Sequence, residues 1–139
     1  MSRRDDCIFC RIVSGEAPSF RVCEDDGSLA FMDLFPVADG HTLVITKEHY
    51  GDLLEADADA VAAVAKCTRR VARAIEAVKE PDGLGVYQLN RAAAGQTVFH
   101  YHVHLIPRKA GDPLTIHARG RGDDELLRAN AEALAAALD

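Results

Sequence analysis

The sequence predicts an α+β fold in which a five-stranded antiparallel sheet packs with one long helix, a short N-terminal helix and a C-terminal helix. Three observations favour this fold class. Short segments with strand-like patterns outnumber helical ones, a hairpin turn signal joins two of them, and one long stretch has apolar residues at helical spacing. Strands linked by short hairpins indicate an antiparallel sheet rather than the parallel sheet of an α/β fold.

The first predicted element is a short helix over residues 7–14, "CIFCRIVS", which Gly15 ends. Its apolar residues are expected to face the core: Ile8, Phe9, Ile12 and Val13.

Five segments are predicted to be strands. The first two are joined by Asp25-Asp26-Gly27, a sequence typical of a tight hairpin turn. The strand segments are 19–24, 28–34, 41–47, 83–90 and the histidine-rich stretch from residue 100.

Two further helices are predicted from apolar spacing. Asp57 is a candidate cap for the long helix over 57–80, and Pro81 with Gly83 closes that segment. Its expected core residues are Val61, Val64, Ala65, Val71, Ala72, Ile75 and Val78. The C-terminal helix begins near Asp123 and is expected to dock through Leu127, Ala131, Leu134 and Leu138.

Composition excludes several classes of function. The chain has 139 residues, of which 48% are hydrophobic, enough for one globular domain with a real core. A formal charge of −6 and the lack of a basic stripe argue against nucleic-acid binding. Arg119 and Arg121, in "HARGRG", fit a solvated loop. No apolar run is long enough to span a membrane and no signal-peptide pattern is present, so a cytoplasmic location is expected.

The four cysteines fit reduced thiols better than disulfides in a chain without a secretory signal. Cys7 and Cys10 have C-x-x-C spacing, which is typical of a metal site or a redox pair. Such a pair can supply two thiolates to one tetrahedral zinc ion. The alternative is that both are free thiols packed under the first helix.

Three of the six histidines lie within "FHYHVHLIPR", residues 99–108. Successive side chains of a strand point to opposite faces, so His100, His102 and His104 are expected on one face, roughly 7 Å apart. Apolar neighbours favour a strand, and Pro107 limits its pairing. A purification tag would lack the alternating apolar residues. A catalytic metal on this strand alone is disfavoured, because no Asp or Glu lies between Asn90 and Lys109.

The loop before this strand, "NRAAAGQTV", is rich in small residues that let backbone N–H groups approach an anion. By itself it fits an ordinary connection between two strands equally well. Its position next to three imidazoles, which are nucleophilic near neutral pH, indicates attack on phosphorus.

With these motifs the chain resembles the histidine triad (HIT) family, whose signature alternates three histidines with apolar residues. The match runs from "CIFCRIVSGEAPS" through "EDDGSLAFMDLFPVADGHTLVITKEH" to "NRAAAGQTVFHYHVHLIPR" and fades after Arg108. It is closest to the Hint-like branch. It implies a single HIT-like domain over 1–139, with a core at about 7–108 and a tail with its helix at 109–139.

The resemblance implies hydrolysis or transfer at the α-phosphate of purine nucleoside phosphoramidates or dinucleoside polyphosphates. His102 would attack phosphorus and become nucleotidylated, His104 would stabilise the developing charge, and His100 would assist His102. The alternative is a nucleotide-binding regulatory module with little turnover. In either case the expected partner is a purine nucleotide of the AMP or GMP type.

The resemblance also implies the residues that hold the nucleotide. Asp33 would accept hydrogen bonds from the ribose, with Leu34 alongside. His41 would lie near the phosphates, and the alternative for it is a solvated histidine at the start of a strand. The expected phosphate and leaving-group contacts are Asn90, Gly95, Gln96 and Thr97. The expected purine slot is formed by Ile8, Phe9, Ile12, Phe31 and Leu43, for which plain core packing is the alternative.

Zinc-bearing relatives imply a structural zinc ion held by Cys7, Cys10, His49 and His100. The competing role for His100 is a proton relay to His102. The resemblance further implies a homodimer, for which the strand at 83–90 is a candidate pairing edge, although the long helix could equally cover its own sheet and leave a monomer. Arg91, where the family often has glycine, and Thr46, where it often has proline, depart from the pattern.

Overall fold

The computed structural model describes residues 3–118 and 120–139. These residues form three α-helices, five strands and one 3₁₀ turn, and the predicted fold class is confirmed. In chain order the elements are α1 (Ile8–Ser14), β1 (Arg21–Glu24), β2 (Ser28–Met32), β3 (Thr42–Thr46), α2 (Ala58–Lys79), β4 (Gly83–Tyr87), the 3₁₀ turn (Ala92–Ala94), β5 (His102–Arg108) and α3 (Asp124–Ala136).

The five strands form one antiparallel sheet in the order β1-β2-β3-β5-β4. The predicted hairpin joins β1 and β2, because the Asp25 carboxylate accepts hydrogen bonds from the backbone N–H groups of Gly27 and Ser28 and from the Ser28 hydroxyl. β5 lies between β3 and β4, near the centre of the sheet.

The helix ends follow the capping signals of the sequence. Asp57 caps α2 by accepting from the Asp59 N–H, and Asp123 caps α3 by accepting from the Leu126 N–H. Gly15 ends α1 in the left-handed conformation with φ of 87°. Cys7, expected inside the first helix, is instead its N-cap.

The sheet is covered on both faces. α2 and α3 pack on one face, around Val44, Val71 and Leu105, whereas α1 packs on the other through Phe9, Cys10 and Ile12. Two predictions of which helix residues face the core are wrong. Ala65 of α2 is exposed while Cys67 and Ala74 are buried, and Ile8 is 44% exposed at the edge of α1.

β5 begins at His102 rather than His100. The side chains of the two residues before β5 nevertheless continue to alternate between the faces of the sheet. Tyr101 packs on the α2 face, whereas the His100 ring contacts Phe9 on the α1 face. The expected spacing of roughly 7 Å along the strand is shortened at the ring ends. The rings of His102 and His104 tilt together, with centroids 4.9 Å apart.

After β5, residues 109–118 form an irregular segment, called here the strap, which precedes α3. Arg121 is exposed and paired with Asp124, while the loop expectation for Arg119 falls outside the described residues. Within the described ranges, no helix has the length and apolar character that a membrane crossing requires.

Candidate active site and metal centre

A cavity of about 370 Å³ opens on the α1 face of the sheet, within the size range of small-molecule sites. Its polar lining consists of Asp33, Thr97, His102, His104 and His117. Its apolar lining consists of Ile8, Phe9, Ile12, Phe31, Leu34, Phe35, Leu43, Val98, Ile116 and Ala118. The cavity therefore combines a set of polar, titratable side chains with an apolar slot.

His102 is held as the neutral tautomer whose Nε2 has a free lone pair. Its Nδ1 lies 2.6 Å from the carbonyl oxygen of His100, and a carbonyl can only accept, so Nδ1 bears the proton. Burial lowers the pKa of the ring, which keeps it neutral. Phe9 packs edge-on against the ring, with centroids 5.1 Å apart. The lone pair on Nε2 is left for a ligand in the cavity.

His104 is held in the opposite tautomer through His41. The Val37 N–H donates to His41 Nδ1 at 3.1 Å, so His41 bears its proton on Nε2. That nitrogen lies 3.0 Å from His104 Nδ1, which must then accept. His104 therefore has its N–H at Nε2. Burial lowers the pKa of His41 to about 3 and that of His104 to about 4, so both rings are neutral at pH 7.

Asp33 completes this group of side chains. One carboxylate oxygen accepts from the Phe35 N–H at 2.9 Å, and the other lies 3.3 Å from His41 Nε2. Burial raises the pKa of Asp33 to about 6, and the Phe35 hydrogen bond and the nearby His117 oppose that rise. The carboxylate form still prevails at pH 7, so Asp33 can accept hydrogen bonds from a ligand.

The loop before β5 is held by hydrogen bonds within itself and to the segment around Gly51 and Leu53. The buried side chain of Gln96 accepts from the Arg91 N–H at 2.6 Å and donates to the carbonyls of Gly51 and Val98. The Gly95 N–H donates to the Ala92 carbonyl, and Asn90 accepts from the Leu53 N–H. Gly95, Gln96 and Asn90 therefore shape the loop behind the cavity.

Cys7, Cys10, His49 and His100 converge beside the active face, with their ligand atoms within 4.8 Å of one another. Cys10 Sγ lies 3.3 Å from His49 Nδ1 and 3.5 Å from His100 Nδ1, while Cys7 Sγ lies 3.4 Å from His100 Nδ1. Sulfur and nitrogen ligands at the usual zinc distances would be about 3.5 Å apart on a tetrahedron. The cluster thus has the donor types and spacing that zinc requires.

The tautomer of His100 also fits a metal. Its Nε2 donates to the Thr46 carbonyl at 2.7 Å, which leaves the Nδ1 lone pair facing both sulfurs. Such a backbone hydrogen bond is typical of a metal-bound histidine. Burial lowers the pKa of His100 to about 4, so the ring has the neutral form that binds metals. Since the His100 carbonyl also accepts from His102, this residue connects the cluster to the cavity.

The structure brings together most of the residues singled out from the sequence. All the expected slot residues, together with Asp33, Leu34, Thr97, His102 and His104, line the cavity. Asn90, Gly95 and Gln96 do not. Phe35, Val98 and the strap residues Ile116, His117 and Ala118 were not singled out from the sequence. For the strap the reason is that local spacing does not reveal that the chain returns across the sheet after β5.

Comparison with known proteins identifies the class. The sequence profile of the HIT domain matches residues 14–111, so the chain belongs to the HIT domain family.

Three relatives illustrate the similarity. A Hit-like protein from Bartonella henselae has a TM-score of 0.91 and 41% identity, covering 99% of this chain and 100% of its own. A Zn-bound histidine triad family protein from Mycobacterium smegmatis has a TM-score of 0.82 and 38% identity, covering 95% and 92%. The adenylylsulfatase HINT3 of Arabidopsis thaliana is 40% identical over 111 residues, which are 80% of this chain and 56% of that protein.

Proposed function

We propose that the protein is a nucleotidyl hydrolase or transferase that acts at the α-phosphate of purine nucleoside phosphoramidates or dinucleoside polyphosphates through a nucleotidyl-histidine intermediate. The observation that supports this most directly is the tautomer of His102. Its Nδ1–H is committed to the His100 carbonyl, and its Nε2 lone pair faces a cavity of nucleotide size.

In the first step, His102 Nε2 forms a bond to the α-phosphorus while the bond from phosphorus to the leaving group breaks, and its electron pair departs with that group. The Nε2–H of His104 donates to a phosphate oxygen as negative charge develops, with His41 holding the ring in that tautomer. Thr97 offers a further donor at the cavity wall. Water or another acceptor then attacks phosphorus and returns the electron pair to His102.

The rest of the cavity suits a purine nucleoside. Asp33 accepts hydrogen bonds from the ribose hydroxyls, since its carboxylate form prevails at neutral pH. Leu34 packs beside the ribose. The apolar slot receives the purine between Phe9, Ile12, Phe31 and Leu43. The relative named adenylylsulfatase supports a reaction at an adenylyl group.

We further propose that Cys7, Cys10, His49 and His100 hold a structural zinc ion. Four protein ligands would leave no open position for water, so zinc would supply a cross-link between α1 and the segment that leads into β5. Burial raises the pKa of the Cys7 thiol, and a bound cation is what would favour the thiolate. The Zn-bound relative supports this assignment. Because both cysteines must stay reduced, we place the protein in the cytoplasm. We also propose a homodimer, for which the edge strand β4 is the candidate interface.

The function is tested with His102→Ala and a panel of adenosine and guanosine phosphoramidates and dinucleoside polyphosphates. Turnover should fall by more than about a thousandfold, while the Kd for AMP changes by less than about threefold, because the nucleophile matters chiefly in the transition state. Near-normal turnover by His102→Ala would contradict the mechanism. A wild-type protein that binds AMP but turns over no compound of the panel would instead be the regulatory module.

A further inference from the structure

Hydrogen bonds on either side of residues 116–118 hold the strap against the cavity. Arg108, which is 8% exposed at the end of β5, donates to the carbonyls of Pro113 at 3.1 Å and Thr115 at 2.5 Å. Beyond the strap, the Gly122 N–H donates to the Leu34 carbonyl at 2.7 Å. These bonds fix the path of the chain that places residues 116–118 in the cavity wall.

His117 lies at the mouth of this cavity, beside the loop that precedes β5. A Cβ built on Gly95 would lie 3.5 Å from His117 Nε2 and 3.4 Å from the Ile116 side chain. His117 is also close enough to Asp33 and His104 to affect the pKa of each: it opposes the rise that burial causes at Asp33 and adds to the fall that burial causes at His104. The ring is exposed, and no hydrogen bond to the described part of the chain occupies it.

The charges around His117 identify what it can bind. The cavity lining of the described residues contains one carboxylate and three imidazoles, but no Lys or Arg. His102 and His104 are committed to the α-phosphate in the proposed reaction. A second anionic group attached to that phosphate would therefore find its donor in His117.

We propose that His117 is a specificity-determining residue that binds an anionic leaving group, a sulfate or a phosphate, on the α-phosphate of the nucleotide. This inference rests on the proposed function and specifies its substrate class. When His102 attacks, the P–O bond breaks and the electron pair leaves on a sulfate or phosphate oxygen. The His117 N–H donates to that group as it departs. Sulfate needs no proton to leave, whereas an amine leaving group must take one and lacks the negative charge that His117 recognises.

The test compares adenosine 5′-phosphosulfate with adenosine 5′-phosphoramidate, which share the adenylyl group. His117→Ala should lower kcat/KM for the phosphosulfate about tenfold more than for the phosphoramidate, as expected for one hydrogen bond to a charged group. His117→Arg, which restores an N–H donor, should recover much of the selectivity. Leu114→Ala changes an exposed strap residue outside the cavity lining and should leave the ratio unchanged.

A binding experiment separates failure of this inference from failure of the proposed function. In a His102→Ala background, which lacks the nucleophile, adding His117→Ala should weaken binding of adenosine 5′-phosphosulfate about tenfold more than binding of AMP. That result would support the anion site even if the wild-type protein hydrolysed neither substrate. Equal losses for both ligands, or no loss for either, would overturn the assignment of His117.

Discussion

At the scale of single residues, the chemistry of the site depends on which nitrogen of each imidazole is occupied. His100 donates through Nε2 to Thr46, His102 through Nδ1 to His100, and His41 through Nε2 to His104. These partners give neighbouring histidines different free nitrogens, so one can bind a metal and another can attack phosphorus. The sequence predicts the row of histidines, but tautomers depend on backbone carbonyls that only the fold positions.

Arg91 has an unfavourable backbone conformation. Its φ of 74° and ψ of 161° lie in a region that is essentially restricted to glycine and costs about 1–3 kcal/mol for other residues. The Arg91 N–H donates to the Gln96 side chain, which holds the backbone there. We expect Arg91→Gly to raise the free energy of unfolding by about 1 kcal/mol relative to Arg91→Ala.

Urea unfolding of the two variants measures this difference. Both substitutions remove the guanidinium group, so the loss of its charge cancels in the comparison. The 3.8 Å contact that this group makes with Asp52 is in any case weak, because the Arg91 side chain is 72% exposed. An alanine variant as stable as the glycine variant would show that Arg91 is not strained.

The roles of loop and strap residues were the least predictable part of the site. Gln96 was expected to contact phosphate, whereas in the structure its side-chain amide bonds to the Arg91 N–H and to the carbonyls of Gly51 and Val98. His117 lies far along the chain from the triad and has no motif of its own. Its place depends on Arg108 binding the carbonyls of the strap. Such contacts between a side chain and backbone carbonyls have no periodic signal in the sequence.

At the scale of elements, helix ends were predictable because their caps are local. Asp57, Asp123 and Gly15 act within a few residues of their own positions in the chain. The start of β5 was not predictable from local sequence, because the strand begins where its pairing with β3 begins, at His102 opposite Ile45. His100 precedes this pairing and turns its ring to the two cysteines.

The proposed zinc ion should connect α1 to the segment before β5. Protein purified without a His tag or chelator should contain about one zinc per chain. Cys7→Ser should lose that zinc and lower the Tm, and a chelator should lower the Tm of the wild-type protein but not of the variant. The control is Cys23→Ser, which changes a half-buried cysteine away from the cluster. If the wild type contains no zinc and a chelator does not change its Tm, Cys7 and Cys10 are free thiols packed in the core.

At the scale of the whole molecule, β4 is an edge strand of the sheet. Val86 on this strand is 54% exposed, and an open edge with an apolar side chain favours pairing with a second copy. Light scattering at micromolar concentration should give twice the 15.0 kDa of one chain. Val86→Asp should shift the protein toward the monomer, whereas Leu126→Asp, at an exposed site on α3, should not. A wild-type mass of one chain would contradict the dimer.

The sheet places its two faces in different roles: α2 and α3 bury one face, and the other presents the cavity, with the metal cluster beside it. The proposed reaction requires that His102 on this second face form a covalent bond to phosphorus. Mass spectrometry of protein quenched in acid-free conditions during turnover of adenosine 5′-phosphoramidate tests it most directly. We predict an increase in mass of one adenylyl group, located on His102 by peptide fragmentation and absent from His102→Ala. Active protein that shows no adduct under rapid quenching, or an adduct on another residue, would show that His102 is not the nucleophile.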